Sequence, residues 1–161
     1  MDEKLKEKMK IFIGKNAEYY LAKFEVFEKT GSALSWNWAA FGFGIFWMIY
    51  RKMYLYAFLS ILLMFFLKAI EVYLRLSPVL SFFLSLWLWV GFGLFGNYLY
   101  YLHVKRKVME IMVQYPDEKD QILMLQKEGG TSWIAVFVFT FIFILINAIA
   151  GMYIENKQGG F

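Results

Sequence analysis

The sequence predicts an all-α integral membrane protein with three transmembrane helices, one re-entrant or interfacial helix and short amphipathic helices on the cytoplasmic side. Two observations lead there. Hydrophobic residues fill 60% of the 161 positions and aromatic residues 22%, whereas ordinary soluble domains are about 45–50% apolar. A globule of this size buries too small a share of its surface to hide so much apolar material. The mean hydropathy of +0.49 is also concentrated in three stretches, residues 53–74, 79–102 and 133–154. At 1.5 Å per residue each gives about 33–36 Å of helix, enough for a hydrocarbon core of about 30 Å. Lipid offers the backbone no hydrogen-bond partners, so these stretches must be helical. Alternating strands of the barrel type do not occur.

The elements follow in chain order. Residues 1–33 read as a cytoplasmic amphipathic arm. Its opening, MDEKLKEKMK, lacks the apolar run of a signal peptide, so insertion is expected to use an internal segment. Ala17, Tyr20, Leu21, Phe24 and Phe27 share one helical face, with Asn16 placed to cap the helix and Gly31 to stop it. Residues 34–52 form an aromatic element expected to re-enter the membrane or lie along it. Asn37 would cap its helix, Trp38, Phe41, Phe43, Phe46 and Trp47 would sink into the interface, and Arg51 and Lys52 would stay at head-group level. Residues 53–154 are expected to form a three-span bundle carrying a cytoplasmic helical insert at 103–130. In that insert the stripe Val104, Val108, Ile111, Met112 and Tyr115 prolongs the second span beyond the membrane. Pro116 then opens a further short helix, with Asp117 and Glu118 in its first turn and Lys127 in its last, as the helix dipole favours. Gly129-Gly130 ends it, and Thr131 or Ser132 can cap the final span. Residues 155–161 make a short outer tail.

Charge sets the direction of insertion. If residues 34–50 return to the side they left, 14 basic residues lie on one side and two, Arg75 and Lys157, on the other, with Lys68 inside a span. A full crossing would divide them 9 to 7. The positive-inside rule selects the first arrangement, with the amino terminus in the cytoplasm and the carboxyl terminus outside. Tyr50, Tyr54, Tyr98, Tyr100, Tyr101 and Trp133 then fall near the inner interface, where amphipathic rings settle. The net charge of +4 is thereby explained by topology and by attraction to anionic lipids, not by nucleic acid.

The residues also narrow the chemistry. There is no cysteine and a single histidine, His103, so disulfides, thiolate chemistry and two-histidine metal motifs are excluded, and no metal or cofactor is expected. Gly91 to Gly96 spell G-x-G-x-x-G. A dinucleotide site needs that turn between a strand and a helix, whereas here it lies inside an apolar span. Gly93 and Gly96 are therefore expected to serve close helix packing, as are Ala40 with Gly44 and Ser81 with Ser85 at small-x-x-x-small spacing. Four polar residues are candidates within the membrane: Lys68, Glu71, Asn97 and Asn147. Lys68, Glu71 and Arg75 share one face, which suits a structural pair better than a transport path. Candidates for the interface and for lipid head groups are Arg51, Lys52, His103, Lys105, Arg106 and Lys107.

Several stretches together resemble a known family: Phe12 to Leu21, Trp36-Asn37-Trp38-Ala39-Ala40-Phe41, Trp47 to Tyr54, Gly96-Asn97-x-x-Tyr100-Tyr101-x-His103 and Gly129 to Trp133. The chain resembles small bacterial inner-membrane proteins grouped as a domain of unknown function. Here Ile45 follows Gly44, where such proteins typically carry proline. The resemblance implies a bacterial plasma-membrane protein and supplies no reaction, ligand or catalytic residue.

The expected role is a non-catalytic accessory or scaffolding subunit that packs against another membrane protein or against itself. The alternative is an oligomeric small channel or transporter component, with Lys68, Ser60, Asn97 or Asn147 facing its axis. A lipid-modifying enzyme would need His103 and a carboxylate brought together by folding.

Overall fold

A computed structural model describes residues 2–158. Eight helices follow one another: α1 (Glu3–Ile13), α2 (Ala17–Thr30), α3 (Trp38–Phe43), α4 (Ile45–Tyr50), α5 (Tyr54–Tyr73), α6 (Pro78–Gln114), α7 (Glu118–Glu128) and α8 (Trp133–Gln158). The described residues contain no strand. Three helices, α5, α6 and α8, are long and apolar enough to cross a membrane. The fold is all-helical with three membrane-span-capable helices, as the sequence predicts. The G-x-G-x-x-G stretch is helical throughout, which leaves no turn for a dinucleotide.

Local sequence explains most boundaries. Ser77 accepts a hydrogen bond from the Leu80 amide and Pro78 occupies the first turn, so α6 begins sharply after the short α5–α6 turn. The helix then runs for 37 residues without a break. Asp117 caps α7 through the Lys119 amide, and the Ser132 hydroxyl accepts from Ala135 N–H at the start of α8. The α2 start differs from expectation. Asn16 is in the left-handed region at φ 62 and its side chain makes no capping bond; the Ala17 amide instead donates to the Gly14 carbonyl. A residue with positive φ aims its side chain away from the helix amides, and asparagine tolerates that backbone better than most. The expected outer tail also begins inside a helix, because α8 continues to Gln158; residues 159–161 lie outside the described ones.

The core is not among the spans. It is a cap built from α1, α2, α4, α7 and the second half of α6, with Met9, Phe12, Ile13, Leu21, Phe24, Met48, Tyr100, Val104, Val108 and Leu125 all nearly or fully buried. Helix α6 is its axis, in contact with α1, α2, α3 and α7. The spans leave this cap separately. Helices α5 and α8 each pack on α4 at the cap, and α5 meets α6 only towards its two ends, through Tyr56 against His103 and Glu71 beside Ser81. Every described residue from Phe141 to Tyr153 is exposed. In water such a helix would collapse onto its neighbours; acyl chains solvate leucine as well as another leucine does, so lipid removes that drive.

Residues 31–50 make a shallow excursion beside α6 and come back. Phe27 lies against Tyr98, the Ser35 amide donates to Leu94 O at 3.0 Å, and the Asn37 amide donates to Gly93 O at 2.8 Å. The chain then turns into α3, bends at Gly44 (φ 49) and descends through α4 until Trp47 and Arg51 reach Tyr100. The excursion's contacts reach as far as Trp89, beside Gly44, and from Tyr101 to Trp89 is about 18 Å along the helix axis, too little to cross a bilayer. Trp38 and Phe43 are exposed, as an interfacial element requires, but Trp47 is 4% exposed and faces the cap core instead of lipid. After the bend at Gly44, α4 packs on α5 and α8 and turns Trp47 onto Tyr100 of α6, so that Trp47, Met48 and Ile49 are buried.

Candidate functional site

The excursion is held by an asparagine pair. Asn37 Nδ2 donates to Asn97 Oδ1 at 2.8 Å, and Asn97 Nδ2 donates to Ser35 Oγ and the Trp36 carbonyl at 3.1 and 3.2 Å. Asn37 Oδ1 accepts from the Ala40 amide and so caps α3. Asn97 is fully buried. It does not line a path within the membrane; its amide is consumed in fastening one segment to α6. Glycine makes the close approach possible. A Cβ at Gly96 would lie 2.6 Å from Ala40 Cβ, and one at Gly93 would meet the Trp36 ring at 3.0 Å. Both glycines thus pack α6 against α3 and its lead-in within this chain. Ala40 belongs to that contact, whereas Gly44 supplies the bend.

One turn further along α6 is a buried cation. Arg51, at the end of α4, is 3% exposed. Its Nη1 donates to the Lys15 carbonyl at 3.1 Å, and its Cζ lies 4.5 Å from the Tyr20 ring centroid and 5.3 Å from that of Tyr100. Tyr20 and Tyr100 meet edge to face at 4.8 Å. Aromatic faces and a carbonyl partly replace water around a guanidinium, because the ring quadrupole is negative above its plane. Arg51 is accordingly an internal strut between α1–α2 and α6, not a head-group anchor. Among the described residues, its Nε and His103 Nδ1 are buried without a hydrogen-bond partner.

His103, on the part of α6 beyond the spanning residues 79–102, is also inside, 5% exposed between Phe12 and Tyr56. Burial pushes its pKa down to about 4, and Arg106 and Lys107 add to that shift while Glu110 opposes it. The imidazole is therefore neutral at physiological pH and does not switch there. The three basic residues after it diverge. Lys105 reaches Tyr101 and Glu28 at 2.8 and 3.0 Å, Arg106 pairs with Glu110 on its own helix, and Lys107 bridges to Glu128 on α7 at 3.1 Å. Burial favours the protonated form of Glu28, yet hydrogen bonding, with that from Lys105 foremost and Tyr101 contributing, and the Lys105 charge outweigh it, and the carboxyl is held at about 2. Lys52 has φ 57 and donates to the Lys127 carbonyl at 3.1 Å.

The remaining candidates stay in the spans. Lys68 pairs with Glu71 at 2.8 Å near the α5–α6 turn, where Ser81 also faces the carboxylate. Asn147 is exposed and returns its amide to Phe143 O at 2.7 Å. Ser85 is exposed. Sequence reasoning missed the Arg51–Tyr20–Tyr100 stack altogether. The only available signal was Tyr20 on the apolar face of α2.

A family model described as "Protein of unknown function (DUF2628)" matches residues 5–106. The chain belongs to this family. The matched DUF2628 stretch runs from α1 into α6 and so contains the asparagine clamp, the arginine stack and His103, while α7 and α8 follow it. No curated protein and no solved structure matches the chain.

Proposed function

We propose that this DUF2628 protein is a non-catalytic accessory or scaffolding subunit of a bacterial inner membrane, which packs against another membrane protein or against a second copy. Its amino terminus and cap would lie in the cytoplasm, facing anionic lipids, and its carboxyl terminus outside. The observation that carries this reading is the contrast between cap and spans. The cap is densely packed and Asn37, Asn97, Arg51 and Lys105 fasten its segments together, whereas the described residues of α8 meet no other element beyond its first turns. A rigid base that holds separated spans presents their sides to other transmembrane helices. Exposed Asn147, whose carbonyl oxygen has no partner among the described residues, gives one such side a polar group that a neighbouring helix can bind.

The channel alternative has less support. Of the polar residues offered for its axis, Asn97 is buried in the clamp and Ser60 donates to Met48 sulfur at 3.5 Å. Lys68 and Asn147 remain, on two spans that do not pack together. Extraction of native membranes into polymer-bounded discs, followed by mass measurement, tests the proposal. A stable species heavier than the 19.1 kDa chain, holding a second copy or a stoichiometric partner, is expected. A lone monomer overturns it.

A further inference from the structure

We propose that the outward side of α6 is the interface with a second copy of this chain, the two helices running side by side from the inner leaflet into the cytoplasm. The inference rests on the accessory-subunit reading and names its partner and its surface.

Helix α6 is apolar on two opposite sides where it leaves the membrane. Val104, Val108 and Ile111 fill the cap core, whereas Leu102, Met109 and Val113 are 37%, 51% and 87% exposed. Packing within the cap accounts for one apolar face, not for two. A groove of about 790 Å³ runs along the outward side, lined by α6 residues alone between Leu102 and Gln114. Lipid does not reach its far end. With head groups at the level of Tyr98 to Tyr101, Met109 and Val113 stand about 12 and 18 Å further along the axis.

The pattern of the stripe says what covers it. Phe95, Leu102 and Met109 recur every seven residues, Val113 follows one turn on, and all four are exposed. Phe95 belongs to the span, so one side of an unbroken helix is apolar on both sides of the head-group level. Seven residues is the period at which two helices wind about each other. A soluble partner would stop at the membrane surface; a helix that itself passes from lipid into water covers both parts.

Charge selects a second α6 as that helix. Lys105 and Glu110 flank the stripe five positions apart, a spacing that in a parallel pair sets the lysine of one helix against the glutamate of the other. Two-fold symmetry makes the contact twice, and copies inserted in the same direction run parallel at equal depth. Both side chains have capacity left. Among the described residues Lys105 Nζ donates to Tyr101 and Glu28, which uses two of its three hydrogens. Glu110 is half exposed and is approached by Arg106 and Lys107 of its own helix at 3.6 and 3.4 Å. Arg106 lies in the stripe itself, where a charge lowers stability but fixes register.

The chain has no cysteine, so single cysteines in native membranes under mild oxidation read the interface directly. Met109→Cys faces its own counterpart across the two-fold axis and is expected to give a disulfide-linked dimer. Leu123→Cys, on the exposed side of α7, is expected to stay single. The double variant Met109→Lys, Val113→Lys adds like charges to the stripe and is expected to weaken the dimer roughly tenfold or more on dilution in detergent. An unchanged melting temperature shows that its cap is folded. Equal cross-linking at positions 109 and 123, or a dimer that the double variant leaves intact, overturns this interface while the accessory-subunit reading stands. A heavier species that holds a different protein and no second copy does the same. A lone monomer removes both.

Discussion

Gly129→Ala is expected to destabilise the cap by at least about 3 kcal/mol, at the upper end of what overpacking costs. A Cβ at that position would lie 2.1 Å from Phe12 O, 2.7 Å from Leu125 O and 2.8 Å from Phe12 C. All three atoms are backbone, so no rotamer change relieves the clash. The site matters because it is where α7 ends and the chain turns toward α8. The Gly129 amide closes α7 on Leu125 O, the Gly130 amide donates to Phe12 O at 2.7 Å, and the Ser132 amide donates to Tyr50 O at 2.9 Å. These bonds tie the last span to α1 and α4. Forcing residue 129 outward loses the Phe12 contact and frees the base of α8. Thermal unfolding in detergent, followed by the monodisperse fraction, checks this against Gly91→Ala and Gly42→Ala. A Cβ at either of those helical positions meets nothing within 4 Å, so both are expected to be neutral or slightly stabilising, since alanine favours helix over glycine.

Asn97→Leu is expected to cost about 3 kcal/mol, although leucine shares the branched outline of asparagine and suits an apolar helix. Its amide is fully buried; it accepts from Asn37 and donates to Ser35 and to the Trp36 carbonyl. Leucine would leave an Asn37 amide hydrogen and the Trp36 carbonyl without partners, and each unsatisfied buried group costs about 1–3 kcal/mol. Replacing Asn37 as well removes one of those orphans. The double variant Asn37→Ala, Asn97→Leu should therefore be less destabilised than the two single variants summed, a coupling that a thermodynamic cycle measures. Additive losses would show that the two side chains do not act as one clamp. Local hydrogen exchange in residues 31–44 should rise before that of α1 or α7, because the excursion is what the clamp holds.

Much of this architecture was legible in the residues. The three apolar stretches, the unbroken passage of the second span into the cap, and the caps at Asn37 and Ser132 rest on local rules of length, periodicity and hydrogen bonding, whereas the short helix expected to open at Pro116 begins at Glu118 with Asp117 as its cap. Long-range pairing was not. The sequence places Gly93 and Gly96 in a seam for a neighbouring helix but does not say that α3 is the neighbour. Arg51 reads as a surface residue because a lone buried guanidinium is costly; the Lys15 carbonyl and the Tyr20 and Tyr100 rings that offset the cost lie 36, 31 and 49 positions away in the chain. The left-handed residues Asn16 and Lys52 carried no glycine to announce them. Among the site residues, the run Lys105-Arg106-Lys107 looked like one basic patch, yet successive positions on a helix point about 100° apart. The three are consequently sent to α2, to their own helix and to α7.

The central claim is that α5, the first part of α6 and α8 face lipid while the cap faces water on one side. The chain contains no cysteine, so single cysteines introduced at exposed positions report without background. Leu62, Phe83 and Ile144 represent the three spans, and Tyr19 and Leu123 the cap; all five are exposed in the structure. With a membrane-impermeant maleimide on intact cells, none should react. After permeabilisation Tyr19→Cys and Leu123→Cys should label rapidly, while Leu62→Cys, Phe83→Cys and Ile144→Cys stay protected until the bilayer is dissolved. Rapid labelling of the span positions in an intact bilayer would contradict the membrane assignment, and labelling of the cap positions in intact cells would reverse the orientation.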